Sequence, residues 1–424
     1  MNNKNKVLLN KSIFRSYKKI NPWASQTYSK SHYLLPGNKC IYAEKAKGSF
    51  IFDIEGNKYL DLMNSLLPVI LGYSDKDVNK AITSQLSKGT IFSVPSLLEY
   101  NVSKLLLSFF EKEFNLIRFA KNGSDVTSAS IRLSRAHNNK KYIIAVGYHG
   151  WHDWYIGSTP RKYGVLKETS KFTKKLNYND FDSITKTFNK LKGDVSSIIM
   201  EPMSFEEPKK NYLKNIRNFC NKNNITLIFD EIITGFRFAE GGSYKIFGIK
   251  PDIILLGKGI ANGMPLSAIV CKSKYKASLN KIFFSGTFGG ECLSLISCQK
   301  TINKIKKNNV IEHLWKQGTD LRIKIENLIF KLNLEDIFKL EGLPPWLRIT
   351  CYDDPNHQYI KILNNILLTK GVITQGSFNI NYTLNKSIIS KIVEAYYESF
   401  LILKKKHINK RKYKLKNLNM SSVR

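Results

Sequence analysis

Acidic residues are scarce in this sequence. The 424 residues contain 33 Asp and Glu against 67 Lys and Arg, so the net charge is +34. Such an excess of positive charge is typical of proteins that bind nucleic acid or anionic membranes. No helix-turn-helix, zinc-finger or aromatic RNA-binding pattern accompanies it, and the lysines are spread along the whole chain together with many Asn and Ile. We therefore expect a solvated basic surface, with a nucleic-acid partner as the alternative.

Paired cysteines and long apolar runs are also absent. None of the six cysteines belongs to a C-x-x-C pair, and their spacing does not match a set of metal ligands. The first residues lack the apolar stretch of a secretion signal, and the apolar run at 66–71 is far too short to span a bilayer. We expect a cytoplasmic protein with reduced thiols that does not insert into a membrane. The cysteines are Cys40, Cys220, Cys271, Cys292, Cys298 and Cys351.

His149 and His152 are the candidate metal ligands of the chain. They lie close together in the sequence H-G-W-H-D at 149–153. No third ligand cluster follows them at a spacing known from zinc sites. The sequence therefore predicts that the protein binds no metal ion.

Hydrophobic periodicity predicts alternating strands and helices from about residue 75. Before that point, residues 49–54 and 58–62 alternate apolar and polar positions around E-G-N, which predicts two strands joined by a tight turn. Further on, short apolar runs separate helical stretches, a pattern typical of a sheet buried on both faces. These runs lie at 142–146, 197–200, 225–229, 253–256 and 268–271. Connections before about residue 255 are long enough for helical crossovers, so the sheet should be mostly parallel.

The last third of the chain has a different pattern. Amphipathic helices are predicted at about 293–307, 311–333, 357–370 and 386–403, around a short strand near 346–351. We expect a large α/β domain at 65–308 and a smaller α+β domain at 309–403. Residues 1–64 should add an irregular arm and part of the smaller domain. Residues 404–424 contain nine Lys or Arg and no acid, and we expect them to form a disordered basic tail.

Two candidate ligand-binding turns are adjacent to the predicted elements. The sequence N-G-S-D at 122–125 precedes a helix predicted to start near 125, where Ser124 is a typical N-cap and Gly123 allows close backbone approach. The N–H groups at a helix N-terminus suit a phosphate, although an ordinary capped turn is the alternative. Tyr148 and Trp151 follow the strand that ends at 146. They could stack on a flat ring at the carboxyl ends of the strands, or simply pack under a loop.

An acidic pair and a lysine follow two other apolar runs. Asp230 and Glu231 come directly after 225–229, where a carboxylate is costly unless a cation or hydrogen-bond donors surround it. A protonated heteroaromatic nitrogen would be such a partner, and so would an arginine or solvent. Lys258 lies between two glycines after four aliphatic residues. Burial there would favour the neutral amine that Schiff-base chemistry requires, whereas an ordinary surface lysine is the alternative.

Together these four features are the parts that hold pyridoxal 5'-phosphate. In order, the motifs are N-G-S-D, Y-H-G-W-H-D, D-E-I-I-T-G-F-R-F, L-L-G-K-G-I-A-N-G-M-P-L-S-A and F-F-S-G-T-F-G-G-E. Over about residues 40–310 the chain resembles the class III pyridoxal-phosphate-dependent aminotransferases of fold type I, and among them the glutamate-1-semialdehyde 2,1-aminomutase branch. The resemblance implies a large, mostly parallel-sheet domain with a smaller α+β domain. It also implies a homodimer with shared active sites.

The resemblance implies a role for each matching residue. Lys258 would form the internal aldimine with the cofactor and move the proton between substrate carbon and cofactor carbon. Asp230 would pair with the pyridinium nitrogen and keep it protonated, so that the ring acts as an electron sink. The other cofactor-binding residues would be Ile232 on one ring face, Tyr148 on the other, His149 in the same site, Gly123 and Ser124 at the phosphate, and Thr287 reaching the phosphate of the neighbouring subunit.

Several departures from the family pattern concern the substrate rather than the cofactor. Glu206 occupies a position where the family usually has an amide side chain near the cofactor. The arm at 28–32 lacks the arginine expected to hold the substrate carboxylate in the aminomutase, and 375–381 lacks its glutamate. Residues 93–96 occupy the expected entrance loop and could face the substrate, although a plain loop is the alternative.

We therefore expect a homodimeric aminotransferase that moves an amino group from a donor to a carbonyl acceptor through pyridoxamine phosphate. Sequences with this motif pattern resemble enzymes of surface-polysaccharide biosynthesis, so an activated keto-sugar is one candidate acceptor. The alternative within the class is the aminomutase reaction, in which amino group and carbonyl exchange within one substrate. The alternative outside it is a non-catalytic nucleic-acid-binding protein that uses the basic surface and tail.

Overall fold

The computed structural model describes residues 9–36, 40–352, 354 and 357–408. They form two compact units. The large unit is Lys76–Ile311, and the terminal unit combines the described residues up to Asp75 with those from Glu312 onward. Of the predicted basic tail, Lys404–Ile408 continues the last helix as a π-helical turn, and residues 409–424 lie outside the described residues. Across the described ranges, no helix is long and apolar enough to cross a membrane.

Strands and helices alternate along most of the chain. The strands are β1 (Ala43–Lys47), β2 (Phe50–Asp53), β3 (Lys58–Asp61), β4 (Phe114–Ala120), β5 (Tyr142–Val146), β6 (Thr173–Leu176), β7 (Val195–Met200), β8 (Thr226–Asp230), β9 (Ile253–Leu256), β10 (Ser267–Lys272), β11 (Phe338–Leu343), β12 (Trp346–Cys351), β13 (Val372–Ile373) and β14 (Ser377–Asn379). The α-helices are α1 (Leu9–Ile20), α2 (Lys76–Leu86), α3 (Leu97–Leu107), α4 (Gly123–Asn138), α5 (Asp153–Ile156), α6 (Lys167–Ser170), α7 (Phe181–Lys190), α8 (Tyr212–Asn223), α9 (Tyr244–Phe247), α10 (Lys276–Lys281), α11 (Cys292–Lys307), α12 (Val310–Lys331), α13 (Gln358–Thr369) and α14 (Lys386–Leu403).

The large unit is built on a seven-stranded sheet. Its strand order is β4-β10-β9-β8-β7-β5-β6. Neighbours from β9 to β6 pair in parallel, whereas β10 runs antiparallel to both β9 and β4. Every residue of β7, β8 and β9 is buried, because a sheet covered by helices on both faces needs continuous apolar strands. The prediction of a large, mostly parallel α/β sheet is confirmed.

Helix α4 starts earlier than the sequence predicts. It begins at Gly123, and Asn122 is its N-cap in an extended conformation. The side chains of Asn122 and Asp125 accept hydrogen bonds from each other's backbone N–H groups, with 2.8 Å from the Asn122 nitrogen to Asp125 Oδ2. This reciprocal capping box fixes the first turn. The prediction that Ser124 caps the helix is therefore wrong, and its hydroxyl instead accepts a hydrogen bond from the Trp151 N–H at 3.2 Å.

The terminal unit contains two smaller sheets. One has the order β1-β2-β3-β13 and the other β11-β12-β14. Strands β2 and β3 pair antiparallel as predicted, and β13 from the C-terminal part of the chain pairs in parallel with β3. The prediction that the arm is irregular is wrong at α1, where Leu9, Ile13 and Tyr17 recur at helical spacing. The polar residues between them obscure this period in the sequence.

Candidate active site

Loops that follow five strands of the large unit meet at one edge of its sheet. Strands β4, β5, β7, β8 and β9 point in the same direction. The segments after them begin at residues 121, 147, 201, 231 and 257. In open α/β sheets, ligands bind in the crevice outside the carboxyl ends of the strands. The four features predicted from the sequence lie on these segments or, for Asp230, at the last residue of the strand before one.

The first turn of α4 is fastened to the loop after β5. The Thr127 hydroxyl donates to the carbonyl oxygen of His149 at 3.0 Å. Gly150 has a φ of +99° and packs so closely on Ser124 that a Cβ at position 150 would overlap the Ser124 hydroxyl. Thr127 was not among the predicted site residues, although it lies three positions after Ser124 on the same face of the helix. These contacts hold the helix N-terminus beside the aromatic loop.

A buried histidine–aspartate contact joins the loop after β5 to the end of β8. His149 Nδ1 lies 2.8 Å from Asp230 Oδ2, and His149 Nε2 lies 3.1 Å from the carbonyl oxygen of Val146. Both ring nitrogens therefore have an oxygen atom within hydrogen-bonding distance. The side chains are 0% and 5% exposed. Asp230 is thus held by a short, buried contact with the imidazole of His149.

Ile232 lies between the helix turn and the loop after β9. Its backbone N–H donates to Asp230 Oδ1 at 3.2 Å. A Cβ at Gly123 would lie 2.8 Å from Ile232 Cδ1, and a Cβ at Gly257 would lie 3.1 Å from Ile232 Cγ2. Neither position therefore accepts a larger side chain without displacing Ile232. The two glycines let the isoleucine side chain occupy the centre of the site.

Lys258 starts a tight 3₁₀ turn directly after β9. The turn spans Lys258–Ala261, and Lys258 adopts a left-handed backbone with φ of 44°. A lysine in this conformation costs on the order of 1 kcal/mol, and such strain is concentrated at functional sites. The neighbouring residue Gly257 is extended and packs against Ile232. The chain therefore places the predicted lysine next to the aliphatic centre of the site.

Tyr148 is held in place by Glu201 and Tyr155. Its backbone N–H donates to Glu201 Oε2 at 3.1 Å. Its ring meets the ring of Tyr155 edge to face, with 5.7 Å between centroids, and the Tyr155 hydroxyl donates to the carbonyl oxygen of Gly147 at 2.7 Å. Burial raises the pKa of Tyr155 well above its usual range, so it is a neutral donor. The sequence signal for Tyr155 was its place in the aromatic stretch W-H-D-W-Y.

The other predicted positions lie apart from this cluster. Thr287 is exposed in the turn before α11. Glu206 is exposed and accepts a hydrogen bond from the Asn179 amide at 2.7 Å. In the terminal unit, the Gln375 amide donates to the carbonyl oxygens of Ser29 at 2.7 Å and Leu34 at 3.3 Å. A glutamate at 375 would place a carboxylate against two carbonyls, which explains the amide found there.

The assembled groups suit pyridoxal 5'-phosphate. The helix N-terminus with Gly123 and Ser124 offers backbone N–H groups and a hydroxyl to a phosphate. Tyr148 and Ile232 offer an aromatic and an aliphatic surface to a flat ring, and Asp230 offers a carboxylate to a protonated ring nitrogen. In the part of the chain that the structure describes, no group of three or more His, Cys, Asp or Glu is placed to hold a metal ion.

Known proteins share this architecture. A family model for class III aminotransferases matches residues 35–392. The 3-aminobutyryl-CoA aminotransferase of Cloacimonas acidaminovorans is 29% identical over 96% of this chain and 100% of its own length. The glutamate-1-semialdehyde 2,1-aminomutase of Nitrosopumilus maritimus is 34% identical over 81% of this chain and 82% of its own length. The FumI protein of Sphingopyxis sp. MTA144, solved in its PLP internal aldimine form, matches with a TM-score of 0.88 and 25% identity over 93% of this chain and 96% of that one.

The matched residues extend through both units of the structure. The resemblance found in the sequence is thereby confirmed, together with fold type I and the prediction of an enzyme that uses pyridoxal phosphate. This chain belongs to the class III aminotransferases, a family of pyridoxal-phosphate-dependent enzymes.

Proposed function

We propose that the protein transfers an amino group from an amino donor to a separate carbonyl acceptor, with Lys258 as the residue that holds the cofactor covalently. One observation carries this proposal: the strained Lys258 turn and the buried Asp230–His149 pair flank Ile232 at the carboxyl edge of one sheet. The backbone therefore holds Asp230, Ile232 and Lys258 on neighbouring segments, which supports roles for them at the ring nitrogen, the ring face and the aldehyde.

Each side chain of the site has a defined task in this proposal. Pyridoxal phosphate supplies an electron sink for the bond that breaks at the amino-bearing carbon. Asp230, oriented by His149, keeps the ring nitrogen protonated. Ile232 and Tyr148 hold the ring from its two faces, and the first turn of α4 holds the phosphate. The Lys258 amine removes and returns the proton at the substrate carbon.

The proposal includes a homodimer in which Thr287 reaches the neighbouring site. Exposed apolar side chains support this, among them Val94 at 70%, Leu97 at 72% and Phe283 at 79% exposure. The stretch that contains Val94 and Leu97 lies beside the loop of Thr287, because the Cys292 N–H donates to the Thr90 carbonyl at 2.8 Å and Gly290 packs against Glu99. An exposed apolar surface of this kind marks a protein interface.

The acceptor is the least defined part of the proposed reaction. The relatives are named for 3-aminobutyryl-CoA and for glutamate-1-semialdehyde, and an activated keto-sugar is the candidate that the motif pattern adds. Gln375 holds the arm at 28–36 through two backbone carbonyls, and the segment 375–381 lacks the glutamate that is expected there in the aminomutase. We therefore favour a transaminase over the aminomutase.

A half-reaction tests the proposed transfer. The holoenzyme is mixed with glutamate and other amino acids in the absence of any acceptor. We expect one donor to convert the yellow cofactor to its colourless amine form and to yield a stoichiometric amount of its keto acid. Lys258→Ala, which removes the amine, should not catalyse the conversion. If no donor reacts while the amine form of the enzyme turns over a single amino-aldehyde, the aminomutase reaction replaces the proposed one.

A further inference from the structure

A basic groove lies along the outer edge of the large-unit sheet. It has a volume of about 770 Å³ and follows β6, the last strand in the sheet order. The loop after α5 and helix α7 form its other walls. It is lined by Gly157, Ser158, Thr159, Pro160, Lys162, Thr173, Lys174, Lys175, Leu176, Thr187, Lys190 and Leu191. We name it the β6 groove.

The charged side chains that line the β6 groove are all positive. It contains four lysines and four hydroxyl side chains, and within the described part of the chain no carboxylate lines it. Lysines spaced around a concave surface repel one another, and a bound anion would relieve that repulsion. The surrounding protein desolvates Lys175 and lowers the pKa of its ammonium group, although the Glu201 carboxylate partly offsets this shift. The groove is therefore suited to an anion.

A buried hydroxyl in the groove adds an unused hydrogen-bonding group. Thr173 is only 5% exposed, and its Oγ1 has no hydrogen-bond partner among the described residues. Leaving a buried hydroxyl unpaired costs about 1–3 kcal/mol, so such groups usually have a ligand or water as partner. Thr173 is one of the residues that line the groove, and its hydroxyl, which is shielded from solvent in the structure, would have to turn towards the groove to donate to an anionic oxygen.

The β6 groove reaches the same edge of the sheet as the candidate active site. Leu176 at the end of β6 pairs with Val146 at the end of β5, two residues before Tyr148. The Lys175 ammonium lies 5.8 Å from the centre of the Tyr155 ring, and that ring packs edge to face on Tyr148. One tyrosine thus separates the groove from the ring-binding surface.

We propose that the β6 groove binds a diphosphate group carried by the carbonyl substrate. This inference rests on the proposed function and adds the substrate class. Two of the acceptor classes considered above, a nucleotide-linked keto-sugar and an acyl-CoA, carry a diphosphate some distance from the reacting carbonyl. Lysine ammonium groups and a threonine hydroxyl are suitable donors for its oxygens. The groove therefore anchors the substrate while its carbonyl reaches Lys258.

A second basic groove on the large unit provides the matched control. It lies between α2 and α11 and contains Lys80, Lys300 and Lys307, but its wall includes Asp77, which pairs with Lys304 at 2.6 Å. It therefore has comparable positive charge and an internal counter-charge. Lys300→Gln/Lys307→Gln removes two charges there, as Lys174→Gln/Lys190→Gln does in the β6 groove.

Isothermal titration of the holoenzyme with inorganic pyrophosphate tests the proposal. We expect one site per chain, weakened about tenfold or more by Lys174→Gln/Lys190→Gln because charged hydrogen bonds are lost. Thr173→Val, which keeps the shape and removes the hydroxyl, should also weaken binding. Lys300→Gln/Lys307→Gln should leave it unchanged. An absence of binding, or equal weakening by both double variants, would overturn the proposal.

Titrations with UDP and with coenzyme A identify the source of the diphosphate. If UDP or coenzyme A binds more tightly than pyrophosphate, and this binding is lost in Lys174→Gln/Lys190→Gln, the proposed role of the β6 groove is supported. The ligand that binds more tightly then identifies the substrate class. If UDP and coenzyme A both still bind to this double variant, the proposal is contradicted. The cofactor absorbance is recorded in every titration and should not change. If the holoenzyme is yellow but binds none of the three probes, only the proposed role of the β6 groove is contradicted. If the protein is colourless, the proposed function is contradicted as well.

Discussion

His149 determines how Asp230 is held in the site. The ring lies between the Asp230 side chain at 2.8 Å and the Val146 backbone carbonyl at 3.1 Å, so both of its nitrogens have a partner. The ring fixes one oxygen of Asp230, and the Ile232 N–H orients the second oxygen. His149 is thus a positioning residue that acts through Asp230 rather than on the substrate.

Replacement of His149 tests this role. We expect His149→Gln to bind the cofactor but to lower kcat on the order of tenfold, because Asp230 loses a charged hydrogen bond. The absorbance maximum of the bound cofactor should shift, and KM should change little. His152→Gln is the control, since His152 is partly exposed and bonds Ser128. A wild-type spectrum and kcat in His149→Gln would contradict the assignment.

The turn after β8 is organised around a second buried acid, Glu231. The backbone N–H groups of Ser243 and Tyr244 each donate to its carboxylate at 2.8 Å, and so do the hydroxyls of Ser243 and Thr234. Burial raises the pKa of Glu231, and these donors oppose the shift. The carboxylate therefore ties the end of β8 to the segment before α9 and fixes the backbone that carries Asp230 and Ile232.

Glu231→Gln should destabilise the protein. The NH₂ group of the new amide is a hydrogen-bond donor and cannot accept from the N–H and hydroxyl donors around it. We therefore expect a loss of about 2 kcal/mol in the free energy of unfolding. Urea unfolding followed by circular dichroism measures it. Glu168→Gln, on an exposed position of α6, should stay within about 0.5 kcal/mol of the parent protein. Equal stability of the two variants would show that this turn does not depend on Glu231.

The start of β9 is held by the carboxylate of Asp252. Arg217 and Lys274 each lie 2.9 Å from it. Burial alone would raise the pKa of Asp252, but these two cations and the Leu227 N–H outweigh it and hold the pKa below its ordinary value. A carboxylate with a lowered pKa in the folded state stabilises the fold above its unfolded pKa, and this contribution disappears as the pH falls through the folded pKa.

Asp252→Asn should therefore cost stability in a pH-dependent manner. At pH 7 we expect a loss of about 3 kcal/mol, because Arg217, whose side chain is only 14% exposed, loses its partner. The difference from the parent protein should shrink as the pH falls below about 4, where the parent carboxylate also becomes protonated. Urea unfolding at several pH values measures it. A difference that does not change between pH 7 and pH 3 would exclude this ion pair as the cause.

At the scale of the whole molecule, the proposed homodimer would cover the exposed apolar surface around Leu97. Leu97→Asp tests the proposed homodimer without harming the fold, since Leu97 is the first residue of α3 and an acid there suits the helix dipole. We expect light scattering to show a dimer for the parent protein and mainly monomer for Leu97→Asp. Leu166→Asp, at 68% exposure elsewhere on the large unit, should remain dimeric. A monomeric parent protein would contradict the shared site.

Much of the large unit could be predicted from the sequence, and the reasons are physical. Strands β5, β8 and β9 are buried on both faces, so only uninterrupted apolar runs form them, and such runs are recognisable. Strand β6 has the sequence T-K-K-L and was missed, because an edge strand tolerates lysines and so lacks that signature. The arrangement of Thr127 and Tyr155 behind the site depends on contacts between distant segments, which a single sequence does not reveal.

The central claim is that Lys258 holds the cofactor. Borohydride reduction of the holoenzyme, followed by proteolysis and mass spectrometry, tests this claim most directly, because it identifies which of the 67 basic residues of the chain carries the cofactor. We expect the yellow colour to bleach and a single peptide, the one that contains Lys258, to carry the reduced cofactor. Lys258→Ala should carry none, and Lys121→Ala should be labelled like the parent protein. Cofactor on another lysine, or on none, would contradict the account.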